Sequence, residues 1–173
     1  MIDKIERAGI TYYRFQVTSD GTKGHVWIKR LRNKGISTTR ASREFLTSDF
    51  FVETNGVITE VVIPEALFLD DPRQEIPIEE IWAWAGTNNL KSLSAECICL
   101  ILMRLAEADL LQMGVKWIIG MSKLVGLPPR LLAAGRHHDG PPRLAIFDAN
   151  PKSWLRPLTD GFAFAVPPVT TAT

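Results

Sequence analysis

The chain has 173 residues, enough for one globular domain and short for two. Its 46% hydrophobic and 23% charged residues match an ordinary folded protein, which excludes wholesale disorder, collagen-like repeats and a disulfide-rich miniprotein. A net charge of +1 leaves no global field to draw the protein onto nucleic acid or membrane.

The segment Met1-Ile2-Asp3-Lys4-Ile5-Glu6-Arg7 has charges every few residues and no apolar stretch, so it does not read as a signal peptide. The longest apolar run, Cys97 to Met103, falls far short of the roughly 20 residues that cross a bilayer. A cytoplasmic protein with no membrane partner is expected. Cys97 and Cys99 are spaced i, i+2, about 200° apart on a helix, so they read as small buried hydrophobes in a reduced compartment.

In chain order, Ile10 to Thr18 alternates β-branched and aromatic residues and predicts a strand. Ser19-Asp20-Gly21 reads as a turn and His25-Val26-Trp27-Ile28 as the returning strand. Ser37 to Phe45 predicts a short helix capped by Ser37 or Thr38. Residues 49–53 and 57–63 read as a hairpin about Asn55-Gly56, the dipeptide suited to a type I′ turn. Prolines 64, 72 and 77 mark a loop. Residues 78–85 read as a strand, and Leu90 to Met113 as one long helix stopped by Gly114. A strand over 115–121, a short helix over 124–134 and two strands, 144–147 and 162–166, complete the pattern. A strand-helix-strand crossover implies a parallel pair formed by 78–85 and 115–121. The fold class expected is α/β (α+β): a mixed, mostly antiparallel sheet with helices on both faces, one domain over 1–166 and a fraying tail over 167–173.

Charge is unevenly distributed. Residues 22–43 carry Lys23, Lys29, Arg30, Arg32, Lys34, Arg40 and Arg43 with no acid, whereas 44–80 carry ten acids against Arg73 alone. The simplest account is two opposed or contacting surfaces of one domain; a phosphate-binding stretch is the alternative. Trp27 is the only aromatic within the basic stretch and no recognition-helix pattern accompanies it, so the sequence does not favour nucleic acid.

The order of elements from residue 78 onward resembles the GNAT acyltransferase fold, and the blocks Glu80-Ile81-Trp82-Ala83-Trp84-Ala85, Trp117-Ile118-Ile119-Gly120-Met121-Ser122 and Leu124 to Gly135 resemble its acyl-homoserine-lactone (autoinducer) synthase branch. The match covers under half of the chain. Trp82 and Ala83 stand where that branch has serine and arginine, and the glycine-rich pyrophosphate loop of GNAT enzymes is replaced by Gly86-Thr87-Asn88-Asn89. The resemblance implies a GNAT-like acyltransferase moving an acyl group from an acyl thioester to an amine. The donor would be acyl-CoA or an acyl carrier protein, used as substrate with no tightly bound cofactor.

Such chemistry needs a base, an oxyanion stabiliser and a parted strand pair. The candidates are Glu80 as base, Ser122 near the thioester, Asn88, Asn89 and Ser92 at the donor, and Trp82, Trp84 and Trp117 as walls of an acyl pocket. Each has a plainer competing role: a solvated carboxylate for Glu80, helix caps for the asparagines and serines, core for the tryptophans. His137-His138-Asp139 has no third ligand at helical spacing, and no metal is expected. The rivals to acyl transfer are a non-catalytic binding protein on a GNAT-like fold and a nucleic-acid-binding protein using residues 23–43.

Overall fold

A computed structural model describes residues 2–65, 76–121, 130–135, 140–148, 154–155 and 160–167. Ten strands and five helices are described, in the order β1 (Asp3–Arg7), β2 (Ile10–Asp20), α1 (Gly24–Asn33), β3 (Ser37–Thr38), α2 (Arg40–Leu46), β4 (Asn55–Pro64), β5 (Ile76–Pro77) and α3 (Ile78–Thr87), followed by α4 (Ala95–Arg104), α5 (Glu107–Met113), β6 (Trp117–Gly120), β7 (Arg130–Gly135), β8 (Arg143–Asp148), β9 (Trp154–Leu155) and β10 (Asp160–Ala165). Eight strands form one mixed sheet in the order β1-β2-β4-β10-β6-β7-β8-β3, and β5 pairs with β9 apart from it. Five of its seven neighbouring pairs are antiparallel; β10–β6 and β3–β8 are parallel. The α+β class and the mostly antiparallel sheet therefore hold. Among the described residues no helix is long and apolar enough to cross a membrane.

The period-two alternation of the strands divides the core. Tyr13, Phe15, Val17, Val61 and Ile63 point to one face, where α1, α2, α4 and α5 cover them. Tyr12, Val62, Phe162, Phe164 and Ile119 point to the other, where α3 packs.

Several local expectations are corrected. Residues 78–85 are not a strand. Pro77 precedes α3, Glu79 and Glu80 occupy its positively polarised first turn, and Ile78, Ile81 and Ala85 make a buried i, i+3, i+7 stripe. The strand parallel to β6 is consequently not 78–85 but β10, paired to it over four consecutive residues from Asp160↔Trp117 to Ala163↔Gly120. Residues 25–28 belong to α1, because Gly24, Trp27 and Leu31 form a helical stripe that tertiary packing buries. The partner of β4 is β2, not residues 49–53, from Tyr12↔Pro64 to Asp20↔Asn55. Of the Asn55-Gly56 pair only the glycine has positive φ, at 71°.

Ser37 and Thr38 form β3, and Thr39 caps α2 by accepting from the Ser42 amide at 3.2 Å. The expected long helix is two: Ser94 caps α4, and α5 begins after Leu105, with Asp109 accepting from the Ala106 amide at 2.6 Å. Residues 130–135 are β7 rather than helix, in the middle of the sheet with Leu131 to Ala134 all buried. Residues 124–129 and 168–173 lie outside the described residues.

Candidate functional site

The acid-free segment 22–43 supplies most of one connected unit, α1-β3-α2, on the first face of the sheet; α2 runs on to Leu46 and adds Glu44. Trp27, fully buried, is its anchor. The Arg30 guanidinium lies over the Trp27 ring, 4.4 Å from its centre, and its Nη1 donates to Asp20 Oδ2 at 2.6 Å and to the Thr22 hydroxyl. The Thr22 hydroxyl, followed by Arg30, holds the Asp20 carboxyl below its usual 3.8. This cluster ties the last turn of α1 to the end of β2. Gly24 fits at the start of α1 because a Cβ would run into the Leu46 carbonyl oxygen, so α1 and α2 touch backbone to side-chainless residue. The Ser42 hydroxyl, buried, donates to the Leu144 carbonyl at 3.1 Å and fixes α2 to β8.

What remains outside is a basic surface. His25, Lys29, Arg32 and Asn33 are exposed at helical spacing on α1, with Lys23 and Lys34 exposed at its two ends and Arg40 and Arg43 exposed on α2. Arg30 is spent on Asp20 and Arg40 pairs with Glu44 at 2.7 Å. Lys23, Lys29, Arg32, Lys34 and Arg43 form no ion pair among the described residues. At the adjoining sheet edge Arg143, also exposed, donates from Nε to Ser37 Oγ at 3.3 Å.

Beneath this unit lies a carboxylate that sequence reasoning missed. Glu96, in the first turn of α4, has no solvent exposure. Its Oε2 accepts from the Thr54 amide and the Thr54 hydroxyl, both at 2.8 Å, while Oε1 has no hydrogen-bond partner among the described residues. The Trp27 indole N–H is buried without a partner in the same way. Cys97 and Cys99 are both free and buried, and burial first, then Glu96, pushes the Cys99 thiol well above its usual range. The signal for Glu96 was a single acid among apolar residues two positions after a capping serine.

The residues expected for acyl transfer lie mostly on the opposite face. Glu80 is half-buried in the first turn of α3. Trp82 and Trp84 flank Phe164, at 6.4 Å edge-on and 5.9 Å tilted, and Trp84 also meets Tyr12 at 6.5 Å. Trp117 stands perpendicular to Phe147 at 5.6 Å. The Asn88 amide donates to the Trp84 carbonyl at 2.9 Å, closing α3, and Asn89 turns the chain with φ 53°. Ser92 is exposed and precedes the α4 cap, Ser94. The structure thus brings Trp82, Trp84 and Asn88 together around the end of α3. Ser122, His137, His138 and Asp139 lie outside the described residues.

Compared with known protein families, curated proteins and solved structures, the chain matches none.

Proposed function

We propose that this protein is a nucleic-acid-binding module whose α1-β3-α2 face meets the phosphate backbone. The carrying observation is the set of five cations without carboxylate partners among the described residues, on a unit anchored by buried Trp27 whose one acid, Glu44, is paired with Arg40. A near-neutral chain that gathers uncompensated positive charge on one face has a local field where its global field is close to zero. The spacing of His25, Lys29 and Arg32 along α1 suits a run of phosphates rather than a single anion, and backbone contacts of this kind carry affinity without base readout.

The test is fluorescence anisotropy with random-sequence duplex DNA and single-stranded RNA over a salt series. Each cation removed lowers the slope of log K against log salt by roughly one phosphate contact. Lys29→Ala with Arg32→Ala should therefore flatten it by about two units and weaken binding to both probes. An unchanged slope, or no binding by the parent chain at low salt, overturns the reading.

Acyl transfer from an acyl thioester to an amine has less support. It rests on Glu80 with Asn88, Asn89 and Ser92 near a donor, and its strand cleft would have to form somewhere other than 78–85, which is α3. Thioester cleavage that disappears on Glu80→Gln would restore it.

A further inference from the structure

The basic side chains of α1 and α2 suit phosphate; a base needs a ring to stack on. Trp27, the aromatic within the basic segment, is turned inward and fully covered. Among the described residues the one exposed aromatic is Phe50, 55% exposed, in the loop that follows α2.

Three contacts set that loop against the basic unit. The Leu46 carbonyl, at the end of α2, occupies the space a Cβ on Gly24 would need at the start of α1. The buried Phe51 ring packs on the same glycine. The Thr54 carbonyl accepts from the Gly21 amide at 2.8 Å, while the Thr54 amide and hydroxyl bond Glu96. Residues 47–54 therefore cross the N-terminal end of α1, fixed at Phe51 and Thr54. Phe50 precedes the inward Phe51 and is left outside, its amide donating to Ser48 Oγ at 3.3 Å.

The basic residues lead to this point. On α1, Arg32, His25 and Lys29 fall within about 60° of one another around the axis. They lie on the side of Gly24 away from Trp27, so their stripe borders α2 and its exposed Arg43, and exposed Lys23 adjoins Gly24. At the loop the charge reverses: Asp49 and Glu53, both exposed, flank Phe50 and the 66% exposed Val52. Carboxylates repel phosphate and anionic lipid alike, but they accept hydrogen bonds from the amino groups of bases. A ring at the end of a basic track, with acids beside it, suits a base whose phosphates lie on the track. A duplex keeps its bases stacked inside, whereas a single strand can turn one out.

We infer that the ligand of this face is single-stranded nucleic acid, its backbone along α1 and α2 and one base stacked on Phe50. This rests on the phosphate-binding reading above and adds to it a preference for unpaired strands.

Fluorescence anisotropy tests it with mixed-sequence single-stranded DNA, the same strand in duplex, and an abasic strand of equal length. Phe50→Ala should weaken single-strand binding about tenfold, the worth of one base on an aromatic ring, and leave duplex binding unchanged. The slope of log K against log salt should stay as it is, because no charge is removed. Phe50→Tyr should keep the affinity and Phe50→Leu lose it, since bulk without a ring does not stack. The abasic strand should bind the parent chain more weakly than the full strand does, and be indifferent to Phe50→Ala. Single-strand binding untouched by Phe50→Ala, equal losses on single strand and duplex, or a loss on the abasic strand overturns the inference. The phosphate reading survives each of these, because it is judged by the salt slopes of Lys29→Ala and Arg32→Ala. Phe50-dependent sedimentation with phosphatidylserine vesicles, without Phe50-dependent binding of the single strand, also overturns it and makes the occupant a membrane. A parent chain that binds no probe at low salt overturns both readings. Should Phe50→Ala fail to fold, Phe50→Leu and the abasic comparison on the parent chain decide.

Discussion

The two faces of the sheet are built on different principles. The α3 face is an aromatic stack in which Trp82 and Trp84 close over Phe164 and Trp117 over Phe147. The opposite face holds an equally buried core but admits charge into it, with Glu96 under the α1-β3-α2 unit and Arg30 laid on Trp27. The first sets ring against ring; the second accepts the cost of buried polar groups and carries outside the cations that have no carboxylate partner among the described residues. Polar ties such as Thr54 to Glu96 fix orientation in a way apolar contact does not, which suits the rigid backing that the proposed binding surface would need.

This contrast can be broken experimentally. The largest loss should come from the aromatic face: Phe164→Ala removes a fully buried ring and should cost about 4 kcal/mol in denaturant unfolding, with a change in tryptophan emission. Gly24→Ala should cost about 3 kcal/mol, because the new methyl meets backbone that has little room to move, and it should weaken the proposed nucleic-acid binding by displacing α1. Glu96→Ala should cost about 2 kcal/mol by stranding the Thr54 amide, and Glu96→Gln clearly less, since an amide oxygen still accepts that bond. If Glu96→Ala proves neutral in the same assay, the buried carboxylate is not what orients this face.

The smallest effect belongs to the rim. The Lys4 ammonium, 2.6 Å away, and then the Tyr13 hydroxyl at 2.7 Å hold Glu65 below its usual 4.5. A depressed carboxyl adds stability that is complete above its unfolded value and is lost as pH falls through the folded one. Stability should therefore decline below about pH 4.5, and Glu65→Gln should remove that part of the slope in acid titrations followed by circular dichroism. Added salt should shrink the difference, because the pair is open to solvent.

Much of the sheet was legible in the chain. β2, β6, β8 and β10 fall where alternation or compact apolar runs placed strands. The errors have physical causes. In α3 the alternating Trp82 and Trp84 imitate a strand, while the deciding stripe of Ile78, Ile81 and Ala85 needs a neighbour to bury it. Leu131 to Ala134 are good helix formers, and only their position between two strands, covered on both faces, overrides that preference. The pairing of β6 with β10 spans more than forty residues and leaves no local trace. The basic segment was visible as composition; it became a surface only once His25 to Ile28 proved helical and turned Trp27 inward and Lys29 outward.

The place of β10 bears on how the molecule is made. It is the only described strand that hydrogen-bonds both β4 and β6, so it closes the seam between a β1-β2-β4 ribbon and a β6-β7-β8-β3 ribbon. During synthesis all seven of those strands leave the ribosome before it does. Until residues 160–165 emerge, two half-sheets wait with open flanks on either side of an empty slot, and chaperone capture in that interval should be strongest on stalled chains lacking these six residues.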